Sequence, residues 1–192
     1  MRKTEILPWT EEWEKTYLKE EIILKDIFKD ELIRIYHIGS TSIPFVGYAK
    51  PIIDILIVVE DIEKINLYNE EMLLLGYEPR NEHGISGRRY FTKGKQKRSH
   101  HLHIYQLGNK NIELHLFFKE YLNNHQEDAK NYGNLKKVLA KQFPNDTHKY
   151  QEAKEKFVND LMKKAINWNS KWRACCWTNV CFNWRRLENI WC

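Results

Sequence analysis

The sequence predicts an α+β domain with a mixed sheet, an N-terminal helix and C-terminal helices, and three observations carry that prediction. An amphipathic segment comes first; strand-like segments then concentrate between residues 34 and 106; and from Ile112 onward the apolar residues recur at helical spacing. Strands gathered ahead of helices differ from the regular alternation of a doubly wound sheet.

In residues 11–28, Trp13, Tyr17, Ile22, Ile23 and Ile27 fall at roughly helical spacing among charges, with Thr10 placed to cap. Residues 34–38 alternate as a strand does and run into the small-residue turn Gly39-Ser40-Thr41-Ser42, followed by Pro44. The β-branched run at 52–59 suits a central strand covered on both faces, interrupted by a single carboxylate, Asp54. Asp61 is placed to cap a helix reaching about Leu75 and stopped by Gly76. Two strands follow near 88–92 and 100–106, and the sheet is expected to be mostly antiparallel after its second strand. Leu114, Phe117, Phe118, Tyr121 and Leu122, then Tyr132, Leu135 and Leu139, then Tyr150, Ala153, Phe157 and Leu161 mark three closing helices.

One domain over residues 1–167 accounts for this pattern. The chain has 192 residues, 42% of them hydrophobic and 30% charged, enough apolar surface for a real core and far from a disordered composition. It lacks a run of about 18 apolar residues and the apolar stretch of a signal peptide, so a cytoplasmic protein with no membrane partner is expected. The net charge of +5 is uneven, since Lys171, Arg173, Arg185 and Arg186 lie in the last 25 residues beside one acid, Glu188. The basic run Lys93-Gly94-Lys95-Gln96-Lys97-Arg98 sits between two strands and reads as a solvated hairpin loop, so nucleic acid is not an expected partner.

Residues 168–192 differ from the body. They hold all four cysteines (Cys175, Cys176, Cys181, Cys192) and five of the seven tryptophans, with no Gly or Pro. The cysteine spacing is not that of a structural zinc site. The segment reads as an atypical tail without a site, either non-native or disordered.

The chemistry begins at Asp54, because a carboxylate inside an apolar strand is costly unless it is paired, hydrogen-bonded or turned to a metal or cleft. A structural bond to Lys50, Arg88 or a backbone amide would meet the same need. The turn Gly39-Ser40-Thr41-Ser42 offers backbone N–H groups and hydroxyls of the kind that cradle phosphate oxygens.

Gly39-Ser40 followed by Asp54 in a hydrophobic strand resembles the signature of the nucleotidyltransferase superfamily. The longer strings His37-Ile38-Gly39-Ser40-Thr41-Ser42-Ile43-Pro44 and Ala49-Lys50-Pro51-Ile52-Ile53-Asp54-Ile55-Leu56 resemble the GrpB family, a nucleotidyltransferase-like group of bacterial proteins. The likeness continues through Gly84-Ile85-Ser86-Gly87-Arg88-Arg89-Tyr90-Phe91, His100-His101-Leu102-His103-Ile104, Phe118-Lys119-Glu120-Tyr121-Leu122, Tyr132 with Leu135-Lys136, and Tyr150, Lys154 and Phe157, so that it spans residues 4–166. It implies an NTP or another phosphorylated small molecule held at Gly39, Ser40, Thr41 and Ser42, with Ser40 and Asp54 as catalytic residues and a divalent metal, Mg2+ or Mn2+, at Asp54. One departure matters. Where active nucleotidyltransferases carry a second carboxylate on the same strand face, this chain has Leu56. Two ions about 4 Å apart need more anionic ligands than one Asp provides.

His101 and His103 stand at i and i+2 on a strand and so share a face, either to join Asp54 around a single ion or to wall a polar cleft together with His100. Arg88 and Arg89 alternate faces, so only one of them can enter the same cleft and pair with phosphate. Lys50 is placed either for phosphate or for an acid. Lys136 and Lys154 on helices are expected to be solvated, and His37 to orient the turn or to sit satisfied in the core. Three functions follow: a nucleotidyltransferase; a catalytically degenerate nucleotide- or anion-binding protein, suggested by Leu56; or a metal-dependent phosphohydrolase using Asp54, His101 and His103. Some members of the resembled family are fused to a dephospho-coenzyme A kinase domain, but no Gly-x-x-x-x-Gly-Lys-Ser/Thr loop occurs here.

Overall fold

The computed structural model describes residues 3–95 and 97–178, with the backbone alone for 171–178. Strand β1 (Leu7–Pro8) precedes helix α1 (Glu12–Phe28), whose first turn is tied by Thr10 Oγ1 accepting the Glu12 N–H at 3.3 Å. Strand β2 (Leu32–Ile38) leads through two short 3-10 turns (Ser40–Ser42 and Pro44–Val46) to β3 (Tyr48–Ala49) and β4 (Ile53–Val59). Asp61 Oδ1 accepts the Glu63 N–H at 2.9 Å, as its capping position predicts. The element it starts is a 3-10 helix (Glu63–Tyr68) continued by α2 (Asn69–Leu74), where the spacing predicts one continuous helix. Strands β5 (Tyr77–Pro79), β6 (Arg88–Lys93) and β7 (His100–Gln106) follow, then helices α3 (Lys110–Asn124), α4 (Gln126–Gln142) and α5 (Thr147–Thr178).

The main sheet has five strands in the order β2-β4-β7-β6-β5, and β1 pairs with β3 in a small second sheet. All neighbours in the main sheet are antiparallel except β4 and β7, which run parallel with Asp54 opposite His101 and Leu56 opposite His103. That pairing puts the apolar strand in the sheet's interior, as its β-branched run predicts. Lys95 and Lys97 lie exposed between β6 and β7 as a loop predicts, whereas Lys93 belongs to β6 and its ammonium donates to the buried Glu20 at 2.7 Å.

Because strand side chains alternate, the sheet has two different faces. On one, Ile53, Ile55, Ile57, Val59, Phe91, Leu102 and Ile104 pack with Leu24, Ile27 and Phe28 of α1 and with Ile65 and Met72. On the other lie Asp54, His101, His103 and Arg88, with Ile38, Leu56 and Tyr105 packed under Ile112 and Leu116 of α3. A separate cluster joins Ile43 and Val46, from the link between β2 and β3, to Tyr121, Leu122, Ala129, Tyr132, Leu161 and Ala165 of the closing helices.

The sequence boundary between residues 167 and 168 coincides with no break: α5 runs through it to Thr178, and the Trp168 ring lies 6.1 Å from that of Tyr121 and 5.3 Å from that of His125. Cys181 and Cys192 lie outside the described residues. Among the described residues no helix is long and apolar enough to cross a membrane.

Candidate functional site

The site is built where β2 ends, β4 begins and β7 runs alongside. Ile38 and Asp54 are cross-strand partners, and the chain leaves β2 at Gly39 with φ +70°, a conformation that suits glycine. A Cβ at Gly39 would overlap the Asp54 Oδ2 and lie 3.0 Å from its Cβ and 3.1 Å from its Cγ. Glycine is therefore required twice over, by the backbone and by the carboxylate beneath it. The turn closes with Ser42 N donating to the Gly39 carbonyl at 3.2 Å and Ile43 N to the Ser40 carbonyl at 3.4 Å.

Two imidazoles hold the other carboxylate oxygen. His101 Nδ1 donates to Asp54 Oδ1 at 3.0 Å, and His103 Nε2 stands 3.8 Å from the same oxygen. Burial by itself would raise the Asp54 carboxyl, but its contacts with His101 and His103 outweigh that and hold it below the usual carboxylate range. Arg88 then fixes His103 from behind: a guanidinium only donates, so the 3.4 Å contact from Nη1 to His103 Nδ1 leaves the ring proton on Nε2, facing Asp54. The expected combination of two histidines and one carboxylate is thus brought together around Oδ1, with His101 hydrogen-bonded to it and His103 within ion-pair distance. Among the described residues no group of three or more His, Cys, Asp or Glu side chains is arranged to hold a metal ion. What the site offers a hard cation is the Asp54 carboxylate, with its other positions left to phosphate oxygens and water, which is how Mg2+ is commonly bound.

The remaining residues singled out in the sequence separate by face and by partner. Arg88 is 5% exposed and engaged by the Glu82 carbonyl (3.2 Å), the His83 carbonyl (2.9 Å) and the Tyr90 ring (4.5 Å). It supports the cleft wall from within. Arg89 points to the opposite face, ion-paired with Glu63 at 2.7 Å and bonded to Asn66 at 2.9 Å. The Thr41 hydroxyl is committed to His37 Nε2 at 2.9 Å and lies 3.5 Å from the Ile52 carbonyl, while Ser42 Oγ donates to the Gly39 carbonyl at 2.8 Å. Both hydroxyls therefore brace the turn, which leaves Ser40 as its half-buried hydroxyl. His37 donates through Nδ1 to Glu14 at 2.9 Å, stacks on Tyr17 and does orient the turn through Thr41. His100 faces the opposite side of the sheet from His101 and His103, 4.0 Å from Glu20.

Three residues were not legible as parts of this cleft. His115 on α3 lies 5.2 Å ring to ring from His103, and burial above all pushes it down to about 4. Its one sequence signal was a polar residue in the apolar run Leu114-His115-Leu116-Phe117-Phe118. Lys119 reaches back to donate to the His37 carbonyl at 2.9 Å. Lys136, expected to be solvated, is instead 3% exposed, because α4 sits close against the Pro44–Val46 turn. Lys50 lies 4.2 Å from the Tyr150 ring centroid.

Residues 3–164 match the family described as GrpB protein. The chain belongs to the GrpB family. It is 44% identical over 188 residues to the UPF0157 protein YqkA of Bacillus subtilis, a match that takes in 98% of this chain and so most of residues 168–192. The chain spans 54% of YqkA, about half of that relative's length. It is 33% identical to the glutamate-rich protein GrpB of Alkalihalophilus pseudofirmus over 81% of this chain and 91% of that one. Among solved structures, the conserved protein GrpB from Enterococcus faecalis superposes with a TM-score of 0.81 at 42% identity, over 85% of this chain and 98% of that one. The chain has the mixed sheet, N-terminal helix and C-terminal helices of a nucleotidyltransferase-like fold, and these relatives are bacterial proteins.

Proposed function

We propose that the protein binds an NTP or another phosphorylated small molecule together with one divalent cation, Mg2+ or Mn2+, and that with an NTP it transfers the nucleotidyl group to an acceptor oxygen, the bond between the α- and β-phosphates breaking and pyrophosphate leaving. The observation that carries this reading is the contact between turn and carboxylate: the Gly39 backbone lies directly on Asp54, so a phosphate approaching Gly39-Ser40 is brought to the group that would hold a cation. Bound there, the cation would offset charge on the phosphoryl oxygens. The chain's own contribution is positional. His101 and His103 keep the Asp54 carboxylate ionised and oriented, His37 and Thr41 hold the turn, and Lys50, over the Tyr150 ring, would contact the departing phosphates.

Leu56 favours a second reading, binding without transfer. It is fully buried against Ile38 and Tyr105, so β4 supplies no second carboxylate on that face.

The test is thermal unfolding of the protein against ATP, CTP, GTP and UTP, with and without Mg2+ or Mn2+, beside Asp54→Ala. At 100 times its dissociation constant the right ligand adds about 2.7 kcal/mol. A metal-dependent rise in Tm that disappears in Asp54→Ala is the expected result, followed by movement of radiolabel from the α-phosphate to an acceptor. Binding without label transfer supports the second reading, and release of inorganic phosphate points to hydrolysis at Asp54, His101 and His103. Absence of a shift with every nucleotide overturns the nucleotide and its transfer, and leaves another phosphorylated small molecule as the ligand.

A further inference from the structure

Three lysines from three separate elements converge around Tyr132 and Tyr150, and the innermost, Lys136, is near enough to Asp54 to feel its carboxylate. Lys50 lies in the link between β3 and β4, Lys136 on α4 and Lys154 on α5. They line two tyrosine rings: Lys50 and Lys154 Nζ lie 4.2 and 5.7 Å from the Tyr150 centroid, and Lys136 Nζ lies 4.6 Å from that of Tyr132. Lys136 is 3% exposed and its ammonium has no hydrogen-bond partner. The ring gives it a cation–π contact but satisfies few of its three N–H donors. Burial above all, with Lys154 and Lys50 repelling it and the single carboxylate of Asp54 acting the other way, pushes the Lys136 ammonium well below its ordinary value. Burying an unpaired cation costs several kcal/mol, and gathering two more around it adds to that cost, so the arrangement calls for an anion.

We infer that Lys50, Lys136 and Lys154 form a subsite for a chain of two or more phosphates, which makes the molecule taken at Asp54 a di- or triphosphate in place of a monophosphate. The subsite rests on the proposed reading of Gly39-Ser40 and Asp54 as the site of the first phosphate. The lysines come from different elements than that turn, so a ligand touching both carries phosphates beyond the first. The tyrosines set its floor: Tyr150 is 1% exposed and Tyr132 5%, and burial, then Tyr132, pushes the Tyr150 hydroxyl above its ordinary value, so it stays protonated beside the anion.

The test is calorimetric titration of the full chain with inorganic tripolyphosphate, pyrophosphate, orthophosphate, ATP and AMP, with and without Mg2+, for the wild type, Lys136→Met, Lys154→Met and Asp54→Asn. Tripolyphosphate is expected to bind at least about tenfold tighter than orthophosphate, and Lys136→Met to weaken it by about tenfold or more, near 1.4 kcal/mol. Unliganded Lys136→Met is expected to melt no lower than the wild type, because the substitution removes a buried, unpartnered charge. Lys154→Met, at a half-buried position, is expected to weaken tripolyphosphate in the same direction. Asp54→Asn is expected to keep metal-free tripolyphosphate binding. Equal affinity for orthophosphate and tripolyphosphate, or unchanged tripolyphosphate binding in both lysine variants, overturns the subsite. If tripolyphosphate binds through Lys136 but no nucleotide gives an Asp54-dependent response, the subsite stands and the nucleotide reading falls. If AMP binds in an Asp54-dependent way and tripolyphosphate does not bind, the reverse holds.

Discussion

At the scale of single residues, the site depends on which atoms are already spoken for. Thr41, Ser42 and Arg88 are polar, close to Asp54 in sequence or across the sheet, and chemically suited to phosphate, yet each has protein partners that hold it to the scaffold. Gly39 is the opposite case, a residue with no side chain on which both the turn and the carboxylate depend. Gly39→Ala is expected to destabilise the fold by about 1–3 kcal/mol, through a non-glycine residue at positive φ, and to remove any ligand-dependent rise in Tm by displacing Asp54. Gly47→Ala serves as its control, since Gly47 also has positive φ (+72°) but nothing lies within 4 Å of the added Cβ. It is expected to lose similar stability while keeping the ligand response. Urea unfolding for stability and thermal shift for binding check both variants.

At the scale of elements, α4 shows how a helix is placed to deliver one side chain. A Cβ at Gly133 would overlap the Val46 carbonyl oxygen, so this glycine lets the helix lie on the Pro44–Val46 turn. One turn later Lys136 is carried into the interior. Gly133→Ala gains helix propensity worth about 1 kcal/mol, but the overlap with rigid backbone costs about 1–3 kcal/mol. Net destabilisation and weaker tripolyphosphate binding are the expected outcomes, measured by urea midpoint and titration. Local pattern revealed α1, β2, β4, β6, β7 and the three closing helices, because each has a periodicity of its own. The two-residue strands β1 and β3 are too short to show any period, and β5 ends in a proline. The parallel pairing of β4 with β7 was out of reach for another reason: it is a relation between distant segments, which neither segment encodes alone. Asp54, Gly39 and the shared face of His101 and His103 were legible because they break or repeat a strand pattern. Lys136 was not, because its burial is decided by a glycine three residues earlier meeting a turn about 90 residues away in sequence.

At the scale of the whole molecule, the histidines tie stability to pH. Burial lowers His37, His100 and His115 below the ordinary imidazole value of 6.5, in the last case to about 4. The unfolded chain therefore takes up these protons first, so stability is complete above about 6.5 and falls as the pH drops towards 4. His115 alone contributes roughly 3 kcal/mol to that slope. Asp54, held low in the folded state, adds its loss only below its ordinary value of 3.8. Urea midpoints recorded across this range are expected to decline on acidification, and His115→Gln to flatten the decline. A midpoint independent of pH between 6.5 and 4 contradicts the burial account of these three rings. Among the described residues there are three apolar clusters, and the one under the closing helices has a consequence for synthesis. Ile43 and Val46 belong to the first quarter of the chain, but the residues that cover them are Tyr121 to Ala165. As the polypeptide leaves the ribosome, the sheet strands and the Gly39–Ser42 turn emerge with this apolar seat still bare, and it stays bare until α3, α4 and α5 arrive. The nascent protein thus passes through a stage in which Asp54 and Lys50 are already made but Lys136 and Lys154 are not, so the three lysines can gather only after α4 and α5 have been delivered.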